Sequence, residues 1–349
     1  MPLTFCLCLA VVIPFAALHL SISNALLLGV TMLSALVIAT HIPTTQFYLA
    51  CSLTAMVVYL LLGALVSLLA GAEKAISIIV ALAALQAAFA LVAVYVSGHA
   101  FRSGDLSRIV GSFEGPTQLA TMLACVTPLA FMHAMGRPTF LSILALTAIF
   151  FALIFTWSRG PIFAASLGCL AACLWTHPSN SAGTPKSRKV LLSTVALMPI
   201  LLVLLVRSAS ASRADASYRA AMSRPIQWRA ALDKAIENPL GVGPGNIQLS
   251  ISRQTADGGT FTDVSQDPKN QVLANLLIFG VVAIPATAVF VYGLFRSASE
   301  NVSQASTGIR GACVTLCALG IFDSPFYIPG HEVTCGLLGM VTGLVVLKK

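Results

Sequence analysis

The residues best suited to chemistry are cations that lie in, or next to, one polar segment of a largely apolar chain. Residues 207–271 hold eight Lys or Arg and six Asp or Glu, in a chain that is 57% hydrophobic and only 9% charged. Arg224, Trp228 and Arg229 stand close together in this segment. The planar fork of a guanidinium binds phosphate oxygens bidentately, so the segment is suited to a phosphorylated ligand.

A glycine-rich turn follows these arginines. It reads Asn-Pro-Leu-Gly-Val-Gly-Pro-Gly-Asn over residues 238–246 and contains Gly241, Gly243 and Gly245. Successive backbone N–H groups in such a turn can bind an anion, and a purely structural turn is the alternative. No Gly-Lys-Ser/Thr follows, so the motif is not a nucleotide-binding P-loop.

Arg159 stands apart from this segment. It lies in the sequence Thr-Trp-Ser-Arg-Gly-Pro, between two apolar runs with barely any loop. This predicts a position at the outer boundary of a membrane. The side chain there either reaches the interface or points into the protein at an anionic ligand.

Two more polar loops carry ionisable side chains. Arg102, Arg108 and Glu114 occupy one of them, for which a solvated loop is the simplest interpretation. His331 and Glu332 lie in the other, close to the C-terminal end. This pair has the chemistry of a general base, with helix capping and interfacial anchoring as the alternative.

We expect membrane helices to position these side chains. The mean hydropathy is +0.90, and a helix needs about 20 apolar residues to cross a bilayer. The prediction is an all-α, polytopic helical bundle formed by a single domain, 1–349, with one large loop, 207–271, that contains short helices. About 11 spans are expected, near 3–19, 22–40, 47–70, 75–97, 117–135, 139–157, 161–176, 190–206, 272–295, 311–322 and 333–347.

Loop charges orient this bundle. With the large loop outside, nine Lys or Arg fall in the inner loops, whereas the short outer loops hold only Arg102, Arg108 and Arg159. The positive-inside rule favours this arrangement. The net charge of +8 therefore reflects topology rather than nucleic-acid binding. Residues 1–19 lack a cationic start, which indicates an outside N-terminus or a missing upstream helix rather than a signal peptide.

Within the large loop, the pattern predicts one clear helix. Residues 208–217 are rich in Ala and Ser and are expected to be mobile. Pro225 suits a first helical turn, and the helix is predicted to end at Glu237, before Asn238-Pro239. Its expected apolar face comprises Ile226, Ala230, Ala231, Leu232 and Ile236. Residues 249–259 are expected to be irregular.

Neither a metal ion nor another cofactor is predicted. All nine Cys lie in or at the edges of apolar spans, and no Cys-x-x-Cys occurs. Small packing residues are the simplest interpretation of this pattern.

In their order and spacing, these motifs resemble the O-antigen ligase/polymerase superfamily. The resemblance covers about residues 100–295 and rests on four motifs. These are Ser158-Arg159-Gly160, Arg224 four residues before Trp228, the glycine turn after Pro239, and Asn270 followed by Leu273 and Gly280. The segment from Arg108 to Pro116 is similar to another landmark of these proteins.

The resemblance implies a multi-spanning glycosyltransferase of the bacterial inner membrane, with its active site facing the periplasm. The donor it implies is an undecaprenyl-diphosphate-linked oligosaccharide. The acceptor would be a growing glycan, lipid A-core or a protein, and the membrane lipid is the other partner. Because charge develops on the leaving diphosphate, fixed cations must stabilise it. Arg159 and Arg224 are assigned to that task, with Arg229 as a weaker candidate.

Lys269 departs from the family pattern. Ligases of this family usually carry His just before the Asn that opens the helix, where it is thought to assist deprotonation of the acceptor. Lys269 stands at that position here. The proton acceptor is therefore Lys269, the His331–Glu332 pair, or no dedicated group. Polymerase-type members vary more at this position, which favours polymerisation or a divergent transferase.

Two other classes of protein stay open. A transporter or flippase would place ionisable residues near the middle of the membrane, and the apolar spans contain almost none. A catalytically impaired accessory factor would explain the Lys269 departure, but it would not need the Arg–Trp–glycine loop.

Overall fold

The computed structural model is mainly helical, with two small β-hairpins. It describes residues 72–97, 100–103, 106–113, 115–175, 211–243, 247–254, 260–265, 268–285, 287–288, 292 and 304–322. The predicted spans at 3–19, 22–40, 47–70, 190–206 and 333–347 lie outside these residues. The other predicted spans fall on helices. In chain order the elements are α1 (Ala72–Ser97), β1 (Ala100–Ser103), β2 (Leu106–Ile109), α2 (Pro116–Gly136), α3 (Phe140–Phe155), α4 (Arg159–Trp175), α5 (Ala211–Glu237), β3 (Leu249–Gln254), β4 (Thr260–Ser265), α6 (Gln271–Phe279) and α7 (Gln304–Phe322).

Helix α2 is the centre of a bundle that it forms with α1, α3, α4 and α7. Its apolar side chains are buried almost all around the helix. Helix α1, by contrast, leaves one long stripe exposed, and its members recur every three or four residues: Ile78, Leu82, Leu85, Phe89, Val92 and Val96. An apolar stripe of this length faces lipid or another apolar surface, not water. Among the residues that the structure describes, two helical segments, Glu73–Val94 and Pro116–Gly136, are long and apolar enough to cross a membrane.

A contact between two glycines brings α4 and α7 together. A Cβ added to Gly168 would lie 2.5 Å from the carbonyl oxygen of Gly311, and a Cβ on Gly311 would lie 2.6 Å from that of Gly168. Membrane helices use such small residues to approach closely, because lipid supplies no hydrophobic force between them. Arg310 also lies over the Trp175 ring, 6.0 Å from its centroid. The C-terminal end of α4 therefore meets the N-terminal part of α7.

This packing defines two ends of the bundle. At the end that we call the site end lie the β1–β2 hairpin, the start of α2, the α3–α4 turn and the C-terminal end of α7. The start of α6 is also there, because the Asn270 side chain donates to the carbonyl of Ile321 at 3.1 Å. The opposite end carries the exposed ion pair Arg137–Glu73, whose N···O distance is 2.8 Å.

The all-α expectation is wrong in two places, where the chain forms antiparallel hairpins. Strands β1 and β2 pair with Phe101 opposite Arg108. Strands β3 and β4 pair from Leu249–Ser265 to Gln254–Thr260, and β3 lies in the segment 249–259 that is expected to be irregular. Both hairpins belong to the polar connections, where the backbone groups of a strand pair bond to each other.

Three helix boundaries also differ from those expected. Helix α5 begins at Ala211 rather than near Pro225, because the stretch before Pro225 is rich in alanine, the strongest helix former. Residues 211–217 are therefore helical. The span predicted at 272–295 is broken after α6 by a 3₁₀ turn, Gly280–Val282. Helix α7 begins at Gln304, seven residues before the predicted span.

Candidate active site

The α3–α4 turn presents Arg159 at the site end. Helix α4 starts at Arg159, and the amide of Ile162 donates to the carbonyl of Ser158 at 3.2 Å. The side chain of Arg159 is exposed, whereas Thr156 and Ser158 are buried beneath it. Trp157 between them has φ 55°, a left-handed backbone that non-glycine residues adopt rarely. Such strain persists only where surrounding contacts hold the turn.

Arg108 supplies two of these contacts. Its Nε donates to the carbonyl of Thr156 at 2.7 Å, and its Nη2 donates to the hydroxyl of Ser158 at 2.9 Å. Both acceptors are uncharged. Burial lowers the pKa of the Arg108 guanidinium, since desolvation disfavours its charged form. The solvated-loop interpretation is therefore wrong for Arg108, which is half-buried and bonded.

On helix α5, Arg224 and Trp228 lie four residues apart and both are half-buried. This spacing places them on one face of the helix. Ala231 and Ala235 continue the same face and are buried against Leu277 and Ile278 of α6. Arg229 is exposed, on another side of the helix.

The expected apolar face of α5 is largely wrong. Ile226, Leu232 and Ile236 are exposed, and of the five predicted members only Ala231 is fully buried. The reason is the small side chain of alanine, which lets α5 approach α6 and β3 closely on that side. Trp228 completes this face, but its Nε1 is buried and has no hydrogen-bond partner among the described residues. An unpaired buried N–H group costs about 1–3 kcal/mol.

The glycine turn crosses the end of α6, backbone against backbone. Gly241 and Gly280 have φ of 86° and 68°, and a Cβ on Gly241 would lie 2.6 Å from the Gly280 nitrogen. Three hydrogen bonds fix the crossing. The amide of Val242 donates to Leu277 at 2.7 Å, that of Gly243 to Ile278 at 3.2 Å, and that of Val281 to Pro239 at 2.9 Å.

These bonds decide between the two interpretations of the turn. The amide of Gly241 also donates to a backbone carbonyl, that of Asn238, at 2.8 Å. The N–H groups of residues 241–243 are therefore all occupied by the protein, which leaves the structural turn as the interpretation for this part. Gly245 lies outside the described residues.

Lys269 and Asn270 open helix α6. Asn270 is its N-cap, and the side-chain oxygen accepts from the amide of Leu273 at 3.1 Å. In the Asn270–Leu273–Gly280 motif, Asn270 is thus the N-cap, Leu273 is the third residue of the helix and Gly280 is the C-cap. Lys269 is half-buried and has φ 53°, so the residue just before the cap adopts a strained backbone.

The segment that carries most of these residues matches a known family. Residues 143–288 match the family model described as O-Antigen ligase. Over these residues the chain is similar to the O-antigen ligase/polymerase superfamily. This similarity supports glycan transfer of the ligase or polymerase type, by a membrane protein. No curated protein matches the chain.

The segment matched to this superfamily contains only part of the site end. Arg159, Arg224, Arg229, the glycine turn and the Lys269–Asn270 pair fall inside it, whereas the β1–β2 hairpin with Arg108 and helix α7 fall outside. The structure brings Arg108 to the turn before Arg159, and it brings Asn270 to the end of α7. Convergence of Arg159 with Arg224 stays a prediction. His331 and Glu332 lie outside the described residues.

Proposed function

We propose that the protein transfers a glycan from an undecaprenyl-diphosphate carrier to a hydroxyl acceptor at the periplasmic face of the bacterial inner membrane. The observation that carries this proposal is the family match, because it spans the arginines assigned to the diphosphate. The acceptor is a growing polysaccharide, lipid A-core or a protein. The departure at Lys269 favours polymerisation or a divergent transferase among these.

In the proposed reaction, the acceptor oxygen attacks the anomeric carbon while the bond to the carrier diphosphate breaks. Negative charge then develops on the leaving diphosphate, and preorganised cations stabilise it. Arg159 suits this task because it is exposed at the start of a 17-residue helix, where the helix dipole also favours an anion. Arg224 is proposed as the second ligand, with Arg229 as a weaker one.

The proton of the acceptor hydroxyl has three proposed destinations. Lys269 is one, since it holds the place of the usual His and precedes the N-cap of α6. The His331–Glu332 pair is the second. In the third, no dedicated base acts and the proton passes to solvent water, because the anomeric carbon is electron-poor late in the reaction and the attacking hydroxyl becomes acidic as the new bond forms.

The proposal is tested by removing the gene in the cell that encodes it. We expect the lipid-diphosphate-linked glycan to accumulate in its membranes, and the wild-type gene to reverse this. Arg159→Lys should fail nearly as fully as Arg159→Ala, since a point charge cannot replace the bidentate fork. Arg137→Ala is the matched control, because that arginine sits at the opposite end in an exposed ion pair that contributes little to stability.

Two outcomes would contradict this assignment. If the deletion strain accumulates no lipid-linked glycan, the proposed transfer reaction is wrong. If Arg159→Ala cells consume the donor normally at equal protein level, Arg159 is not a diphosphate ligand.

An accessory role is the second candidate, because a chain without the usual His at position 269 could have lost the transfer activity. A purified accessory factor would bind the lipid-linked glycan without converting it. Turnover by the purified protein alone excludes this role.

A further inference from the structure

We propose that Arg108 is a positioning residue that holds Arg159 in place for the diphosphate. This inference rests on the proposed function, and it extends the site to a hairpin that lies outside the segment matched to the family. In the α3–α4 turn, the Arg108 guanidinium binds two acceptors on either side of the strained residue Trp157.

The two hydrogen bonds close the turn around Trp157. Thr156 precedes this residue and Ser158 follows it, and Arg108 bonds the carbonyl of the first and the hydroxyl of the second. Trp157 has a left-handed backbone, which is strained for a residue other than glycine, so the turn would relax without contacts that oppose it. The next residue after Ser158 is Arg159 itself, so relaxation of the turn would redirect that side chain.

Hydrogen bonds also fix the rest of the α3–α4 turn. The hydroxyl of Thr156 donates to Leu153 at 2.6 Å, and the amide of Trp157 donates to Ile154 at 2.9 Å, so its N-terminal side is fixed to helix α3. On the C-terminal side, the amide of Ser158 donates to the hydroxyl of Thr156 at 3.3 Å, and the hydroxyl of Ser158 donates to the carbonyl of Thr156 at 3.5 Å and accepts from Arg108 at 2.9 Å. Arg108 therefore joins the end of α3 to the residue before the start of α4 from outside the turn.

The hairpin holds Arg108 firmly enough to act in this way. The next two residues along the chain, Ile109 and Val110, are buried, and Arg108 pairs with Phe101 in the strand register. Desolvation of the guanidinium disfavours its charge, and the two bonds offset part of that cost. Lysine at this position would keep a charge but could not span both acceptors in the fixed geometry of the fork.

The test measures kcat/KM for the cell's own lipid-diphosphate-linked glycan, per folded molecule of purified full-length protein. We expect Arg108→Lys and Arg108→Ala to lower it about 10–100-fold, the range for loss of a group that orients a ligand residue. Ser158→Ala removes one of the two acceptors and should lower it less. Arg102→Lys, in the same hairpin, is the matched control and should match wild type.

The double variant distinguishes positioning from general destabilisation. Arg108→Lys combined with Ser158→Ala should be no worse than Arg108→Lys alone, since both changes disrupt the same bond. A purely structural role predicts that the amount of folded protein falls while kcat/KM per folded molecule stays at the wild-type value. If the Arg108 variants do not fold, Ser158→Ala decides alone, and a wild-type kcat/KM in that variant overturns the proposal.

The remaining outcomes separate this inference from the proposed function. If wild-type protein transfers glycan and Arg108→Lys does so equally well, the positioning role is wrong and the transferase stands. An Arg159→Ala protein with normal kcat/KM has the same meaning, because Arg108 would then have no ligand residue to position. If the wild-type protein transfers no glycan at all, both proposals fail.

Discussion

The crossing of Gly241 with the end of α6 yields the sharpest prediction. Gly241→Ala would place a Cβ 2.6 Å from the Gly280 nitrogen and 2.7 Å from the carbonyl carbon of Ile278. These are backbone atoms, which cannot rotate away as a flexible side chain would. The turn must therefore shift away from α6, which leaves the packing of Ala231 and Ala235 against Leu277 and Ile278 to hold the polar loop on this helix.

The magnitude follows from two costs. An L-residue with a left-handed backbone costs about 1–2 kcal/mol, and Gly241 has φ 86°. Separation also weakens the three crossing hydrogen bonds, of 2.7, 3.2 and 2.9 Å, each worth roughly 0.5–1.5 kcal/mol. Together these costs amount to roughly 3–6 kcal/mol, a large part of the 5–15 kcal/mol by which a typical protein is stable. We expect the loop to detach before the helical bundle unfolds.

Limited proteolysis of the purified protein in detergent micelles is the assay. Cleavage within residues 207–271 should become at least 10-fold faster in Gly241→Ala than in wild type. Gly115→Ala is the matched control, because a Cβ there meets no atom within 4 Å. If Gly241→Ala is cleaved at the wild-type rate and has the same thermal midpoint, the crossing is not tight and this reasoning fails.

Three further predictions concern the other end of α6, the proton acceptor and the topology. Asn270→Ala removes both the cap of α6 and the bond to Ile321, so we expect a loss of about 1–3 kcal/mol in thermal denaturation of the purified protein; an unchanged midpoint contradicts the cap. If Lys269 is the base, Lys269→His should keep or raise glycan transfer and Lys269→Ala should abolish it; normal transfer by Lys269→Ala together with loss in His331→Ala assigns the base to the C-terminal pair, and normal transfer by both alanine variants indicates that no dedicated base acts. In a Cys-free background, an impermeant thiol reagent should label Ser212→Cys but not Ser181→Cys in intact cells, and the reverse pattern inverts the predicted topology.

The helices that can be predicted correctly are those marked by a local sequence pattern. Apolar runs predicted the helices of the bundle, and α2 begins and ends within one residue of the expected 117–135. The motif Asn270–Leu273–Gly280 marks a helix from cap to cap, since a cap and a terminating glycine act within one or two turns. The start of α5 was missed because Pro225 suits a first turn, yet the alanine-rich stretch before it continues the helix.

The hairpins were missed although the chain offers a signal for each. Gly104-Asp105 separates β1 from β2, and Asp257-Gly258-Gly259 lies between β3 and β4. Dipeptides of these kinds are typical of tight hairpin turns. They carry little weight when the flanking strands are only four or six residues long and lack a clear alternation.

The role of Arg108 could not be predicted, because its partners lie 48 and 50 residues away in sequence. No local pattern encodes such a contact. For the same reason the buried face of α5 was misjudged. Helical periodicity assigns the large aliphatic residues to the buried face of α5. In the structure the alanines face α6, because their small side chains allow close approach.

The site end depends on parts of the chain that the segment matched to the family does not contain. Arg159 begins a helix inside that segment, but the hairpin before it fixes the turn through Arg108. Asn270 likewise caps α6 inside the segment, but it is tied to α7 beyond its end. The hydrogen bonds of Arg108 and of Asn270 are made to backbone carbonyls or a hydroxyl. These uncharged acceptors require a donor in a fixed geometry rather than a charge. Substitutions that preserve charge but alter geometry should therefore fail at both places.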